Sequence, residues 1–199
     1  RILTGNLTRL TAPRSGPIPT VVYLNSNPWG GALPDFAPEV CALAEMGFAV
    51  LEVSPRGSFG RGIQHWLAGR DGIDRAVAAD IFSALDIVGP EAELDRDAVA
   101  VVGADFGGYH ALRMMQLHPA RIRCAVAIDP VTDLVSWSKG RPGNNERERL
   151  GNASRGWYFG TDVERLREQS PITHPELLTK PLMLVSTRHD PFEPGSDLK

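Results

Sequence analysis

Cysteine is nearly absent: Cys41 and Cys124 are the only two in 199 residues. One falls in an expected helix and one in an expected strand, so they make no disulfide framework and both are expected to be buried, free thiols. An excess of one charge is lacking too. The 21 basic and 24 acidic residues leave a net charge of −3 and are spread along the chain. That excludes a basic stripe for nucleic acid and a polybasic or amphipathic arm for a membrane surface. No apolar run approaches the ~18 residues of a membrane span, and no leader pattern stands at the start. A cytoplasmic location is favoured, with removal of a leader before Arg1 left open. His65, His118 and His174 lack metal-ligand spacing, and the glycines of Arg56 to Gly62 form neither a G-x-G-x-x-G nor a P-loop. Neither a metal nor another cofactor is expected. There is no internal repeat. With 42% hydrophobic residues over this length, the chain supports one domain, residues 1–199, around one core.

What is present is an alternation of short apolar runs with helical periods. Ile2 to Leu10 predicts an antiparallel edge strand, and Thr20 to Leu24 a strand running into the turn-rich Asn25-Ser26-Asn27-Pro28-Trp29-Gly30-Gly31. Phe36, Val40, Leu43 and Ala44 mark one face of a helix ending at Gly47. Phe48 to Val53 is a near-continuous apolar strand of the kind buried on both faces. Ile73, Val77, Ile81, Leu85 and Val88 line a second helix, which Gly89-Pro90 is expected to end. Val99 to Gly103 and Arg123 to Ile128 read as further buried strands. Residues 129–180 form a loop-rich excursion, with its least periodic part between Val131 and Gly160, on the surface near the site. Within it Thr161-Asp-Val-Glu164 reads as a capping box for a short helix. Pro181 to Ser186 is a last strand, followed by the loop Thr187-Arg-His-Asp-Pro191. The pattern implies an α/β fold with a mostly parallel twisted sheet covered by helices on both faces, and a site at the strands' carboxyl ends.

The chain is organised around Val99-Ala-Val-Val-Gly103-Ala-Asp105-Phe-Gly107-Gly108, a strand that turns sharply and opens a helix reaching His118-Pro119. This is the shape of the G-x-S-x-G nucleophile elbow of α/β-hydrolases, in which glycines flank a strained turn and one side chain stands clear. Here that side chain is Asp105. Two readings of the carboxylate stand side by side: a disabled acyl-transfer site, or a nucleophile of the kind used by haloalkane dehalogenases and epoxide hydrolases, whose G-x-D-W-G-G motif is similar. Those enzymes carry a large helical cap that this chain lacks. His110 reads as a packed helix residue. His189 is a poor substitute base, because neighbours on a loop point apart. Trp29, Trp137, Trp157 and Tyr158 serve either local packing or a pocket wall, and Arg141, Arg147, Arg149 and Arg155, interleaved with Glu146 and Glu148, read as a solvated face.

From Thr20 to Pro191 the chain resembles the hydrolase domain of the S9 (prolyl oligopeptidase) serine peptidases, the group that includes acylaminoacyl and dipeptidyl peptidases. The matching pieces run in order: Pro28; Pro38-Glu39-Val40; Arg56-Gly57-Ser58 with Gly60 and Gly62; Ala79-Asp80-Ile81; and Gly107-Gly108-Tyr109. They continue through Pro130-Val131-Thr132-Asp133-Leu134, Ser170-Pro171-Ile172-Thr173-His174 and Lys180-Pro181-Leu182 to Asp190. The resemblance implies peptide hydrolysis through an elbow nucleophile. It places Asp105 at the nucleophile position, Asp190 at the triad acid, and Phe106 with Ser26 and Asn27 at the oxyanion hole. It also implies a peptide or small acyl or ester ligand, and a β-propeller domain or partner chain that covers the C-terminal edge of the sheet. Three departures accompany it. The nucleophile serine is Asp105, the family's His-Gly-Gly-Pro loop reads Asn25-Ser26-Asn27-Pro28, and the triad histidine has no counterpart up to Lys199. The domain is therefore expected to be inactive as written, with an Asp-nucleophile hydrolase or a non-catalytic binding module as alternatives. The fold's closing strand and helix are also missing, so a continuation past Lys199 or another chain is expected to cover the last strand.

Overall fold

Six strands form one sheet in the order β1-β3-β2-β4-β5-β6. The computed structural model describes residues 2–11, 15–33, 35–70, 73–139, 153, 155–156 and 158–187. The strands are β1 (Thr4–Thr8), β2 (Ile18–Leu24), β3 (Ala49–Ser54), β4 (Leu94–Ala104), β5 (Cys124–Ile128) and β6 (Leu182–Val185). β1 pairs antiparallel with β3 at one edge, and every other pairing is parallel. Parallel neighbours need crossovers. These run through α1 (Pro38–Glu45), then α2 (Ile63–Leu67) and α3 (Ile73–Glu91), then α4 (Phe106–Leu117), and finally α5 (Leu134–Lys139), α6 (Val163–Glu168) and two 3₁₀ turns (Pro171–Thr173 and Pro175–Leu177).

Side chains alternate along each strand, so the sheet has two differently covered faces. Val22, Leu24, Leu51 and Val101 pack with Ile73, Val77, Ile81 and Leu85 of α3 and with Phe106, Tyr109 and Met114 of α4. Val21 and Val50 point the other way, onto Val40 of α1. Each such side chain, taken from water, contributes about 1.5–3 kcal/mol, so the α3 and α4 face carries most of the apolar stabilisation. Two ion pairs, one half-buried and one buried, tie that layer together. Arg56 clamps Asp80 of α3 through its backbone N–H at 2.8 Å and its Nε at 2.9 Å. Arg113 of α4 reaches Asp74 of α3 at 2.7 Å and also donates to Gln116, whose amide in turn caps the carbonyls of Pro171 and His174 at 2.9 Å.

Several elements differ from their sequence reading. α3 runs through Gly89-Pro90 to Glu91, because a proline in the last turn removes one hydrogen bond there without blocking the turns before it. β4 starts at Leu94, earlier than Val99, and Leu94 and Asp95 pair with Ile18 and Pro19 ahead of a register shift at Pro19/Thr20. α1 starts at Pro38 and leaves Phe36 82% exposed, off the buried face. α6 is capped by Asp162, not Thr161: its carboxylate accepts from the Glu164 and Arg165 amides. Cys41 and Cys124 are free but only half-buried. The excursion is not wholly a surface segment, since Val131, Leu134, Tyr158, Phe159 and Leu166 are buried in the core. Ser170 fastens it, accepting from Leu134 N at 2.9 Å and donating to Leu166 O at 2.7 Å.

Candidate active site

β4 delivers Asp105 to the carboxyl edge of the sheet, and α4 begins at the next residue. Asp105 has φ 51° and ψ −116°, a region that costs a non-glycine residue about 1–3 kcal/mol unless its surroundings impose it. Its surroundings do. Asp105 N donates to Ile128 O at 2.9 Å, while Asp105 O accepts from Tyr109 N at 3.1 Å and Val131 N at 3.3 Å. The flanking glycines are required by close approach. A Cβ on Gly103 would collide with the Gly107 backbone, and one on Gly107 would collide with the Leu24 carbonyl and lie 2.9 Å from the Asn25 carbonyl. The helix can therefore start directly on top of the strands, which leaves the Asp105 side chain exposed at the apex.

Around the apex stands an aromatic wall. Phe106 packs against Tyr109, Trp137 and Phe159 at centroid distances of 4.7, 5.2 and 5.3 Å. Trp29 meets Phe59 and Tyr158 at 5.9 and 5.7 Å. Tyr158 is fully buried, so it serves packing; Trp157 lies outside the described residues. Arg155 stacks over the Trp137 ring at 4.4 Å and donates to the Trp137 carbonyl at 3.2 Å. It is thus a seated residue and not part of a solvated face. Burial pulls its pKa down and the Asp105 carboxylate pushes it back up, which places the guanidinium within the field of the elbow. Arg141, Arg147, Arg149, Glu146 and Glu148 lie outside the described residues.

Of Ser26, Asn27 and Phe106, the Ser26 carbonyl meets the Phe106 amide at the elbow, and the backbone amides of Phe106 and Asn27 are both engaged. Phe106 N donates to Ser26 O at 3.2 Å, and Asn27 N donates to Asn25 Oδ1 at 2.9 Å. Asp190 and His189 lie outside the described residues. His110 is 6% exposed, set edge-on to Phe106 at 5.1 Å, and its Nδ1 has no hydrogen-bond partner among the described residues. Burial lowers its pKa to about 4, against a smaller upward pull from Asp74; it is a packed helix residue, as its place in the sequence implies. Among the described residues no group of His, Cys, Asp and Glu is arranged to hold a metal ion.

Two features escaped the sequence reading. Asp129, at the end of β5, also has positive φ, 41°. Its Oδ1 accepts from Thr187 N at 2.6 Å and Thr187 Oγ1 at 3.2 Å, so it anchors the start of the loop that follows β6. The Asp129-Pro130 pair carried that signal but reads equally as a strand end. The other is a serine–histidine contact away from the elbow, Ser58 Oγ to His65 Nε2 at 3.3 Å. It is not a nucleophile pair. Ser58 donates to Pro55 O at 2.7 Å and His65 Nε2 lies 2.9 Å from the same oxygen, so both donors converge on one carbonyl, and Ser58 is 1% exposed.

A mostly parallel sheet with a glycine-flanked, strained strand-to-helix corner at its carboxyl edge is the architecture of an α/β-hydrolase domain. The model of the prolyl oligopeptidase family matches residues 34–194. The chain belongs to that family. It is 27% identical over 202 residues to the human acylamino-acid-releasing enzyme, covering 94% of this chain and 27% of that protein. It is 28% identical over 162 residues to dipeptidyl peptidase family member 6 of Caenorhabditis elegans, covering 78% of this chain and 22% of that protein. Among solved structures, the acylaminoacyl peptidase of Pyrococcus horikoshii superposes with a TM-score of 0.80 at 19% identity, over 92% of this chain and 29% of the other. A puromycin-hydrolyzing peptidase of Mycobacterium tuberculosis gives 0.81 at 20% identity, over 98% and 30%. The chain thus spans about a quarter of the length of the curated relatives it matches. Among the described residues no helix is long and apolar enough to cross a membrane.

Proposed function

We propose that this chain is a peptidase domain of the prolyl oligopeptidase type that does not hydrolyse peptide bonds as written, and that its elbow serves as a binding site for a peptide or small acyl or ester ligand. Asp105 at the strained apex carries this reading. Attack by its carboxylate on a peptide carbonyl would expel an amine to form a mixed anhydride, a high-energy acyl intermediate, where serine forms an ester. The engaged amides of Phe106 and Asn27 support the same conclusion, since the developing oxyanion would find neither donor free. On this reading Asp105 stands where the family carries its serine, and Asp190 stands at its acid. In the full-length protein a β-propeller domain or partner chain is proposed to cover the β6 edge. The test is long incubation of the full-length protein with chromogenic esters and aminoacyl peptides: recovery of unchanged peptide that binds supports the reading, and measurable turnover overturns it.

The exposure of Asp105 at the apex favours one alternative, an Asp-nucleophile hydrolase. A carboxylate oxygen would attack an alkyl carbon, expel halide or open an epoxide, and leave an alkyl ester for water to cleave at the Asp105 carbonyl carbon. In heavy-oxygen water that route labels Asp105 itself after one turnover, whereas turnover without label there excludes it.

A further inference from the structure

We propose that the loop of residues 25–31 is a plug built into the elbow, holding the Ser26 carbonyl on the Phe106 amide where an oxyanion would otherwise sit. The proposal rests on the hydrolase reading of the elbow and adds what closes it. Phe106 opens α4, so its N–H is one of the first-turn donors that a helix cannot satisfy from within. In a hydrolase elbow the residue after the nucleophile turns this donor toward the developing negative charge. Here it donates to Ser26 O at 3.2 Å. A carbonyl satisfies the amide without any ligand, so the closed arrangement stands on its own.

The loop is braced in this orientation. Asn27 N donates to Asn25 Oδ1 and Trp29 N to Asn27 Oδ1, both at 2.9 Å, and Gly30 N closes the turn on Asn27 O at 2.9 Å. These are turns in which an asparagine side chain captures a backbone amide two residues on, something glycine at the same positions cannot do. Beyond the turns, the Trp29 ring is lodged between Phe59, Tyr158 and Phe159. Gly30 lies directly against the Asn25 carboxamide, and the Leu24 and Asn25 carbonyls lie against Gly107. The loop sits flush on the first turn of α4, with its carbonyl edge toward the helix. An anion reaches the Phe106 amide only when this loop lifts, so Asp105→Ser alone leaves the oxyanion position filled.

The full-length protein labelled with ¹⁵N-phenylalanine reports on this directly, because phenylalanine is sparse and Phe106 is one of seven within these 199 residues. Its amide is expected to exchange slowly with solvent, and Asn25→Ala with Asn27→Ala to speed that exchange at least tenfold while Phe82, inside α3, is unchanged. In an Asp105→Ser background, inorganic phosphate is expected to move the Phe106 resonance only when the two asparagine changes are also present. Should the double variant unfold, seen as fast exchange at Phe82, Gly30→Ala replaces it, since its Cβ would push the Asn25 carboxamide out of its turn. Unchanged Phe106 exchange in a folded loop variant overturns the plug, and so does a phosphate shift in Asp105→Ser with the loop intact. Faster exchange without a phosphate shift in any variant supports the plug and overturns the elbow as an anion site.

Discussion

At Asp105 a carboxylate stands at the apex of a strained strand-to-helix corner, the position we propose corresponds to the family's serine. Backbone bonds to Ile128, Tyr109 and Val131 hold φ at 51°, so the strain is imposed by the fold and can be isolated by substitution. Asp105→Gly and Asp105→Ala both delete the carboxylate, and only glycine relieves the backbone. Glycine is expected to be the more stable variant by about 1–2 kcal/mol in urea denaturation; equal stabilities would mean the corner is not strained. His110 offers a second test at this scale. Burial holds its pKa at about 4 in the folded chain, below its ordinary 6.5, so between those values the unfolded chain binds the extra proton. Stability therefore falls as pH drops from about 6.5 through 4, by up to ~3 kcal/mol from this residue. His110→Phe, which keeps a ring edge-on to Phe106 and Tyr109, is expected to flatten that part of the stability–pH curve. The corner's residues were legible in the sequence because glycines at 103 and 107 frame it. The Ser26–Phe106 contact was not, because it joins a carbonyl and an amide, which every residue has.

At the scale of elements, the strands β2, β3 and β5 are short apolar runs, and a parallel sheet buried on both faces demands such runs. The opening of β4 at Leu94-Asp-Arg-Asp-Ala98 hid from the same reading because it lies at the sheet's end, where Asp95 turns its carboxylate onto the Asp97 and Ala98 amides. Tyr158 and Phe159 read as loop residues because their partners, Trp29, Trp66 and Phe106, are far away in sequence. The family motifs around Thr132 and Ser170 meet each other in space, through Ile172 N to Thr132 O at 3.2 Å, so they are a junction that seats α5 and α6. The join between α3 and α4 depends on a charge pair of the same hidden kind. Asp74 is 1% and Arg113 5% exposed, and removing one partner strands the other without water. Asp74→Ala is expected to cost about 3–5 kcal/mol, and the double change Asp74→Leu with Arg113→Met to recover most of it. Denaturation midpoints that add across the two sites would show that the pair does not couple the helices.

For the whole molecule, the two edges of the sheet differ in chemistry. β1 is Thr-Gly-Asn-Leu-Thr, a short and largely polar edge of the kind that resists pairing. β6 is Leu-Met-Leu-Val, with Met183 60%, Leu184 41% and Val185 36% exposed, and among the described residues β5 is its only strand partner. An open apolar edge offers a ladder of unpaired backbone groups together with apolar side chains, and is a template for another strand. The chain of residues 1–199, expressed by itself, is therefore expected to associate in a concentration-dependent way, detectable by light scattering. Met183→Lys and Met183→Glu should both suppress this. Because they move the net charge of −3 in opposite directions, agreement between them separates the edge from overall charge. Asn6→Lys on β1 serves as the control and should change nothing. If all three variants associate as the parent does, contacts elsewhere drive assembly and the β6 edge does not.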